Sequence, residues 1–123
     1  MTARPRKIDL PWPPRSLSPN ARKHRMAVAR DKKRYREDCA WSTIAAGVRR
    51  IVAPGLRVHI TFVPPNARTR DRDNMLAAIK AGLDGVADVV SIDDSRWELV
   101  IARAAPEPPG RVELVLEPLD ERP

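Results

Sequence analysis

The segment from Arg68 to Trp97, RTRDRDNMLAAIKAGLDGVADVVSIDDSRW, concentrates the side chains best able to do chemistry. Asp71 and Asp73 stand two apart where extended chain is expected to hand over to a helix. In extended backbone, residues i and i+2 point the same way with Cα atoms about 6.6 Å apart, so both carboxylates are expected to converge on one hard cation. Lys80 and Asp84 follow Asp73 by seven and eleven residues. On a helix of 3.6 residues per turn both fall within about 20° of its direction, which makes one polar stripe. Asp93 and Asp94 precede a later strand, and if that strand pairs with the one leading to Asp71, the acidic pair returns to the same neighbourhood. Each feature also has a purely structural explanation. One Asp can cap a helix, Lys80 and Asp84 can form an i,i+4 ion pair, and Asp-Asp-Ser can make a turn. Capping needs only one carboxylate, however, and two with one orientation repel unless a cation lies between them. Mg²⁺ is the ion such oxygen ligands suit. Arg68, Arg70 and Arg72 are interleaved with these acids, as expected where phosphate approaches a metal held by carboxylates.

Other chemistries are poorly provided. A single cysteine, Cys39, and two distant histidines, His24 and His59, have no zinc-ligand spacing. The five glycines are scattered, so there is no phosphate-binding glycine loop, and no Ser/His/Asp arrangement stands out. Aromatic residues make up 4%, a composition that supplies little base stacking.

The elements that must hold these residues are marked off by the thirteen prolines, which leave two long proline-free stretches, 20–53 and 66–105. Trp41, Ile44, Ala45, Val48 and Val52 recur at helical spacing, predicting a helix over about 26–51 with that stripe buried. LRVHITFV, 56–63, alternates as a strand does. A second helix is expected over about 73–89, burying Met75, Leu76, Ile79, Leu83 and Val86. Short strands are expected at 8–10, 97–102 and 111–116, the last two separated by the turn-rich PEPPG. The order β-α-β-α-β-β implies an α+β fold, a small mixed sheet carrying two main helices. At 123 residues this is one domain over 1–123, with flexible ends at about 1–5 and 118–123. No apolar run is long enough to span a bilayer and none resembles a signal peptide, so a cytoplasmic protein without a membrane partner is expected.

The net charge of +7 is unevenly spread. Residues 1–50 hold 14 Lys and Arg against 4 acids, a net of +10, while residues 51–123 hold 9 against 12, a net of −3. A basic half suits a polyanion, and Arg, with its fork of donors, suits phosphate. The candidates for meeting the phosphates of such a polyanion are Asn20, Arg22, Lys23, Arg25, Lys32, Lys33 and Arg34, together with Arg68, Arg70 and Arg72. A run of charges on a helix is equally compatible with a solvated face.

The ordered set LPWPP at 10–14, D-x-D-N at 71–74, K-x-x-x-D at 80–84 and the acidic pair 93–94 resembles the RusA-like Holliday junction resolvases, small endodeoxyribonucleases common in phages and prophages. The resemblance covers most of the chain. It implies a homodimer that binds four-way DNA junctions and makes paired symmetric nicks with Mg²⁺, Mn²⁺ substituting, and with no small-molecule cofactor. Carried over residue by residue, Asp71, Asp73 and Asp94 would be the metal-binding catalytic acids, with Asp93 the other candidate of its pair. Lys80 would be the catalytic lysine, one helical turn farther from Asp73 than in the family's type member. A nuclease specific for flaps or other branched DNA, and a DNA-binding module without catalysis, remain as alternatives.

Overall fold

The computed structural model describes residues 5–19 and 25–120. Asn20, Arg22 and Lys23, and the end segments 1–4 and 121–123, lie outside the described residues. The α+β class expected from the sequence is present as a four-stranded mixed sheet with three helices. In chain order the elements are β1 (Arg6–Pro11), α1 (Arg25–Ala45), β2 (Leu56–Val63), α2 (Arg72–Ala78), α3 (Lys80–Val90), β3 (Trp97–Arg103) and β4 (Arg111–Pro118), with 3-10 turns at Arg15–Leu17 and Asp94–Arg96.

The strands lie in the order β1-β4-β2-β3. Alternation in β2 and β4 puts Leu56, Val58, Ile60, Phe62, Val112, Leu114 and Leu116 on one buried face, which Ile8 and Leu10 of β1 extend. Burying each of the larger side chains stabilises the fold by roughly 1.5–3 kcal/mol. The opposite face is polar. There Arg57 bonds Glu98 of β3 and Glu117 of β4, each at 3.1 Å, and His59 lies 3.5 Å from Glu117. β4 pairs antiparallel with β1 and β2, whereas β2 and β3 are parallel, Leu56 opposite Trp97. Parallel neighbours need a crossover, and α2 with α3 supplies it.

The first helix differs from expectation in its buried face and its end. Its core residues are Tyr35, Cys39 and Thr43, four apart, while Trp41 is 68% and Val52 90% exposed. The expected stripe follows apolar residue types alone, but the buried face is selected by the fit against α3. A Cβ at Gly82 would stand 2.6 Å from the Tyr35 ring, and one at Gly85 only 2.1 Å from the Arg36 carbonyl oxygen, so only glycine lets the two helices approach so closely. The helix stops at Ala45 rather than 51 because Gly47 takes a left-handed conformation (φ 82°). Val48 N–H then bonds Thr43 O at 3.2 Å and Gly47 N–H bonds Ile44 O at 2.9 Å, the paired bonds of a Schellman cap.

The helix expected over 73–89 is two. Fully buried Ile79 leaves helical geometry (φ −96°, ψ 2°), and its N–H is shared between the Met75 and Leu76 carbonyls at 3.3 Å each. Met75, Ile79, Leu83 and Val86 are buried as expected, and Leu76 packs partly buried against the same core.

Candidate functional site

Asp71 and Asp73 do not share a direction. Asp71 has extended backbone, but the helix begins at Arg72, between the two acids, so the two-residue alternation of a strand does not reach Asp73. Asp71 is the N-cap of α2. Its Oδ1 accepts the Asp73 N–H at 2.7 Å and the Asn74 N–H at 3.3 Å. Asp73 lies in the first turn, where the helix dipole favours an acid. The two carboxylates therefore line different grooves on the two flanks of α2.

The groove containing Asp73, of about 470 Å³, also receives Leu17, Lys32 of α1, Lys80 and Asp84. The polar stripe read from helical spacing is thus present, and the break at Ile79 does not disperse it. Lys80 Nζ donates to Asp84 Oδ1 at 3.2 Å and to Asp94 Oδ2 at closer range. The Asp94 bond foremost, with the Asp84 bond and the charges of both acids, raises the pKa of Lys80 above its ordinary value against the opposing effect of burial. The neighbouring Asp93 instead caps the 3-10 turn, accepting the Ser95 N–H at 3.1 Å. Bonds from the Ser95 side chain and backbone hold its carboxyl below the usual range.

The acidic pair does not return to Asp71. Because β3 runs parallel to β2, Asp93 and Asp94 precede β3 at the end where β2 begins, whereas Asp71 and Asp73 follow the end where β2 finishes. The long Lys80 side chain bridges part of that separation by reaching Asp94. Among the described residues, no three His, Cys, Asp or Glu side chains gather closely enough to hold a metal ion alone. The donor chemistry still suits Mg²⁺, which is commonly bound by one or two carboxylates completed by substrate phosphate and water rather than by an all-protein cage.

The groove on the other flank, about 720 Å³, has a different character. Trp12 and Phe62 meet edge to face at 6.2 Å, and the Arg70 guanidinium lies 5.5 Å from the Trp12 ring centroid. Arg70 is fixed there by bonds to Asn66 O (3.0 Å), Asn66 Oδ1 (2.9 Å) and Arg68 O (3.1 Å). Arg103, at the end of β3, donates to Arg70 O at 2.7 Å. Burial first, then the charges of Arg68 and Arg103, lower the pKa of Arg70. Arg15 and Arg68 complete the basic lining, with Asp71 beside them.

No protein-family model matches the chain. A protein of Xylella fastidiosa (strain Temecula1 / ATCC 700964), described only as an uncharacterized protein, is similar to it: 40% identical over 93 residues, or 73% of this chain and 61% of that protein. The chain thus spans about three-fifths of the length of the curated relative it matches.

The expected DNA-binding residues are dispersed. Arg25 opens the described part of α1 and is exposed, as are Lys33 and Arg34, while Lys32 turns into the acidic groove. Arg36, on the same helix, is already held by Asp88 of α3 through bonds of 2.7 and 2.8 Å. Tyr35, among these cations, is buried and donates to Pro11 O at 2.7 Å, tying α1 to β1. Cys39 is buried too, and desolvation pushes its thiol up to about 12, so it stays protonated. Arg68 and Arg70 sit together in the larger groove, and Arg72 is exposed at the start of α2. Sequence reasoning missed Arg15 as a member of the basic groove and Arg103 as the support behind Arg70. Arg15 directly follows the PWPP segment, which could have pointed to it. Arg103 carried no such signal, since only the pairing of β3 with β2 brings it to Arg70.

Proposed function

We propose that the protein is a Mg²⁺-dependent endodeoxyribonuclease that resolves four-way DNA junctions by paired symmetric nicks in recombination and repair, working as a RusA-like homodimer in the cytoplasm of a bacterial host. The observation that carries this reading is the gathering of Asp73, Lys80 and Asp84 in one groove, with Asp94 bonded to Lys80, on the flank of α2 opposite an arginine-lined groove. Asp73 would hold the ion from the groove, with Asp94, bonded to the groove's Lys80, as the further acid, while Asp71 on the other flank of α2 and Asp93 in its 3-10 cap stand apart. Bound there, Mg²⁺, or Mn²⁺ in its place, would polarise the scissile phosphodiester and help ionise the attacking water. Lys80 is shared between Asp84 and Asp94 in the absence of DNA, and its ammonium is the groove's own means of stabilising charge on the phosphate as it reacts. Lys32 adds a second cation on the facing helix. Arg68 and Arg70 position backbone phosphates without reading sequence. A two-fold dimer would present two such grooves to opposed strands of a junction.

A second reading, a DNA-binding module without catalysis, is favoured by one specific observation. Asp71 is engaged as a cap, and Asp84 and Asp94 are already paired with Lys80. Incubating the full chain with four-way junctions, flaps and plain duplex, with and without Mg²⁺, separates the readings. Symmetric paired incision of the junction alone, and only with the ion, is expected. Asp73→Asn should bind junctions at least as tightly, because repulsion of phosphate falls, and cut none. Unchanged cleavage would sink the acidic-groove assignment. Equal cleavage of flaps would move the activity to another branched substrate.

A further inference from the structure

The larger groove contains more than phosphate binding requires. A site that only gripped the DNA backbone would need cations on an open surface. Here the arginines surround an aromatic and apolar floor made by Trp12, Phe62 and Met75. We propose that this groove receives a single unpaired nucleotide, its base stacked against the Trp12–Arg70 platform and its phosphate held by Arg15 and Arg68.

The platform is preformed. The guanidinium of Arg70 lies 5.5 Å from the indole centroid, and three hydrogen bonds to Asn66 and Arg68 hold it there. Both a guanidinium plane and an aromatic ring stack on any base, because every base has a π face. Trp12 in turn meets Phe62, a fully buried residue of β2, edge to face, so the platform rests on the sheet rather than on a loop.

Charge identifies the rest of the ligand. Arg68 and Arg103 each repel Arg70, and among the described residues none of the three, nor Arg15, forms a salt bridge to a carboxylate. The nearest acid in the groove, Asp71, has Oδ1 occupied by two backbone N–H groups. The cluster is therefore complementary to an anion from outside, and the apolar floor requires that the anion carry a flat hydrophobic body. A nucleotide has both. The volume of about 720 Å³ falls within the range of small-molecule clefts, roughly 300–1,000 Å³. Bases inside a duplex cannot reach such a floor, so the ligand is a nucleotide that is unpaired or drawn out of the stack, as at a strand branch point.

This inference rests on the DNA-binding part of the proposed function and not on cleavage. The probe is a short oligothymidylate carrying one 2-aminopurine and a terminal fluorescein, titrated with the full chain. Saturable quenching of 2-aminopurine is expected as it stacks, while fluorescein anisotropy reports binding separately. Trp12→Ala should abolish the quenching and weaken binding by about 5- to 150-fold, the range that removal of one base–aromatic stack implies. Arg70→Gln, which leaves the ring and the core untouched, should also reduce quenching, and Trp12→Phe should retain part of it. Both guard against a Trp12→Ala chain that fails to fold.

Quenching that persists in Trp12→Ala and Arg70→Gln, or binding by the unaltered chain with no quenching, overturns the proposal. So does inorganic phosphate that displaces the strand as well as an equal concentration of a mononucleotide, because the groove is then a bare anion site. A chain that quenches the probe yet cuts no junction defeats the nuclease reading and leaves this one standing. A chain that cuts junctions but never quenches does the reverse, and one whose anisotropy shows no DNA binding at all overturns both.

Discussion

The two grooves flanking α2 begin from neighbouring residues and resolve their charges in opposite ways. In the smaller groove Lys80 is bonded to Asp84 and Asp94, so its charges are largely balanced from within. In the larger, the Arg70 guanidinium is held by carbonyl and amide oxygens, and Arg103 beside it by a carbonyl and a sulfur, acceptors that leave their positive charge uncancelled. The first must be opened or shared before it can act on a phosphate. The second is ready to receive an anion. Asp71 and Asp73, two residues apart, are divided between them. A need for an outside partner is read from the charges a fold leaves unbalanced, and counting charged residues along the chain does not reveal it.

The strongest test of this division sets Asp94, bonded to Lys80 of the smaller groove, against Asp71 of the larger. Asp94→Asn should lower junction cleavage by at least about 100-fold, since removing even a supporting group at a metal site commonly costs 10–100-fold. Asp71→Asn should lower it far less and change stability by under about 0.5 kcal/mol, because Asn caps a helix about as well as Asp. Equal falls in cleavage for the two variants would break the comparison and mean that both grooves serve one ion.

A smaller effect is expected from α1. Changing Lys32, Lys33 and Arg34 together to Gln should weaken binding to every junction sequence and flatten the dependence of log K on log salt, by roughly one unit of slope for each phosphate no longer neutralised. An unchanged slope would leave the larger groove as the main binder of phosphate and reduce this part of α1 to a solvated face.

The smallest effect concerns the ion pairs of Lys80. Its folded-state pKa is raised, chiefly by Asp94, so the stabilisation is fully present below the unfolded lysine value of about 10.4 and is lost as pH rises through the higher folded value. The side chain is 58% exposed, and such pairs contribute a few tenths of a kcal/mol. Lys80→Ala should lower Tm by about 1–2 °C at pH 8, and the difference should shrink above about pH 10. A larger gap that persists at high pH would show that Lys80 supports the fold by packing.

Much of the fold was legible because strands and helix faces are local patterns. The alternation Leu56, Val58, Ile60, Phe62 predicts β2 with the bounds it has, and Met75, Ile79, Leu83 and Val86 mark the core side of the second helical stretch. The first helix was legible in existence but not in orientation. Tyr35, Cys39 and Thr43 are poorer hydrophobic signals than Trp41 and Val52, yet they face the core because Gly82 and Gly85 admit α3 only on that side.

For the candidate site, the sequence by itself determined the stripe Asp73, Lys80 and Asp84, because helical periodicity sets which residues share a face whatever surrounds them. It could not determine where Asp93 and Asp94 would lie. Parallel pairing of β2 with β3 carries them to the far end of the sheet from Asp71, and the direction of a strand pair is decided by crossover and packing rather than by the residues that precede it. The same pairing brings Arg103 to Arg70, and the start of α2 at Arg72 separates Asp71 from Asp73. Composition showed few aromatic rings, and tertiary structure alone set one of them, Trp12, beneath an arginine in a basic groove.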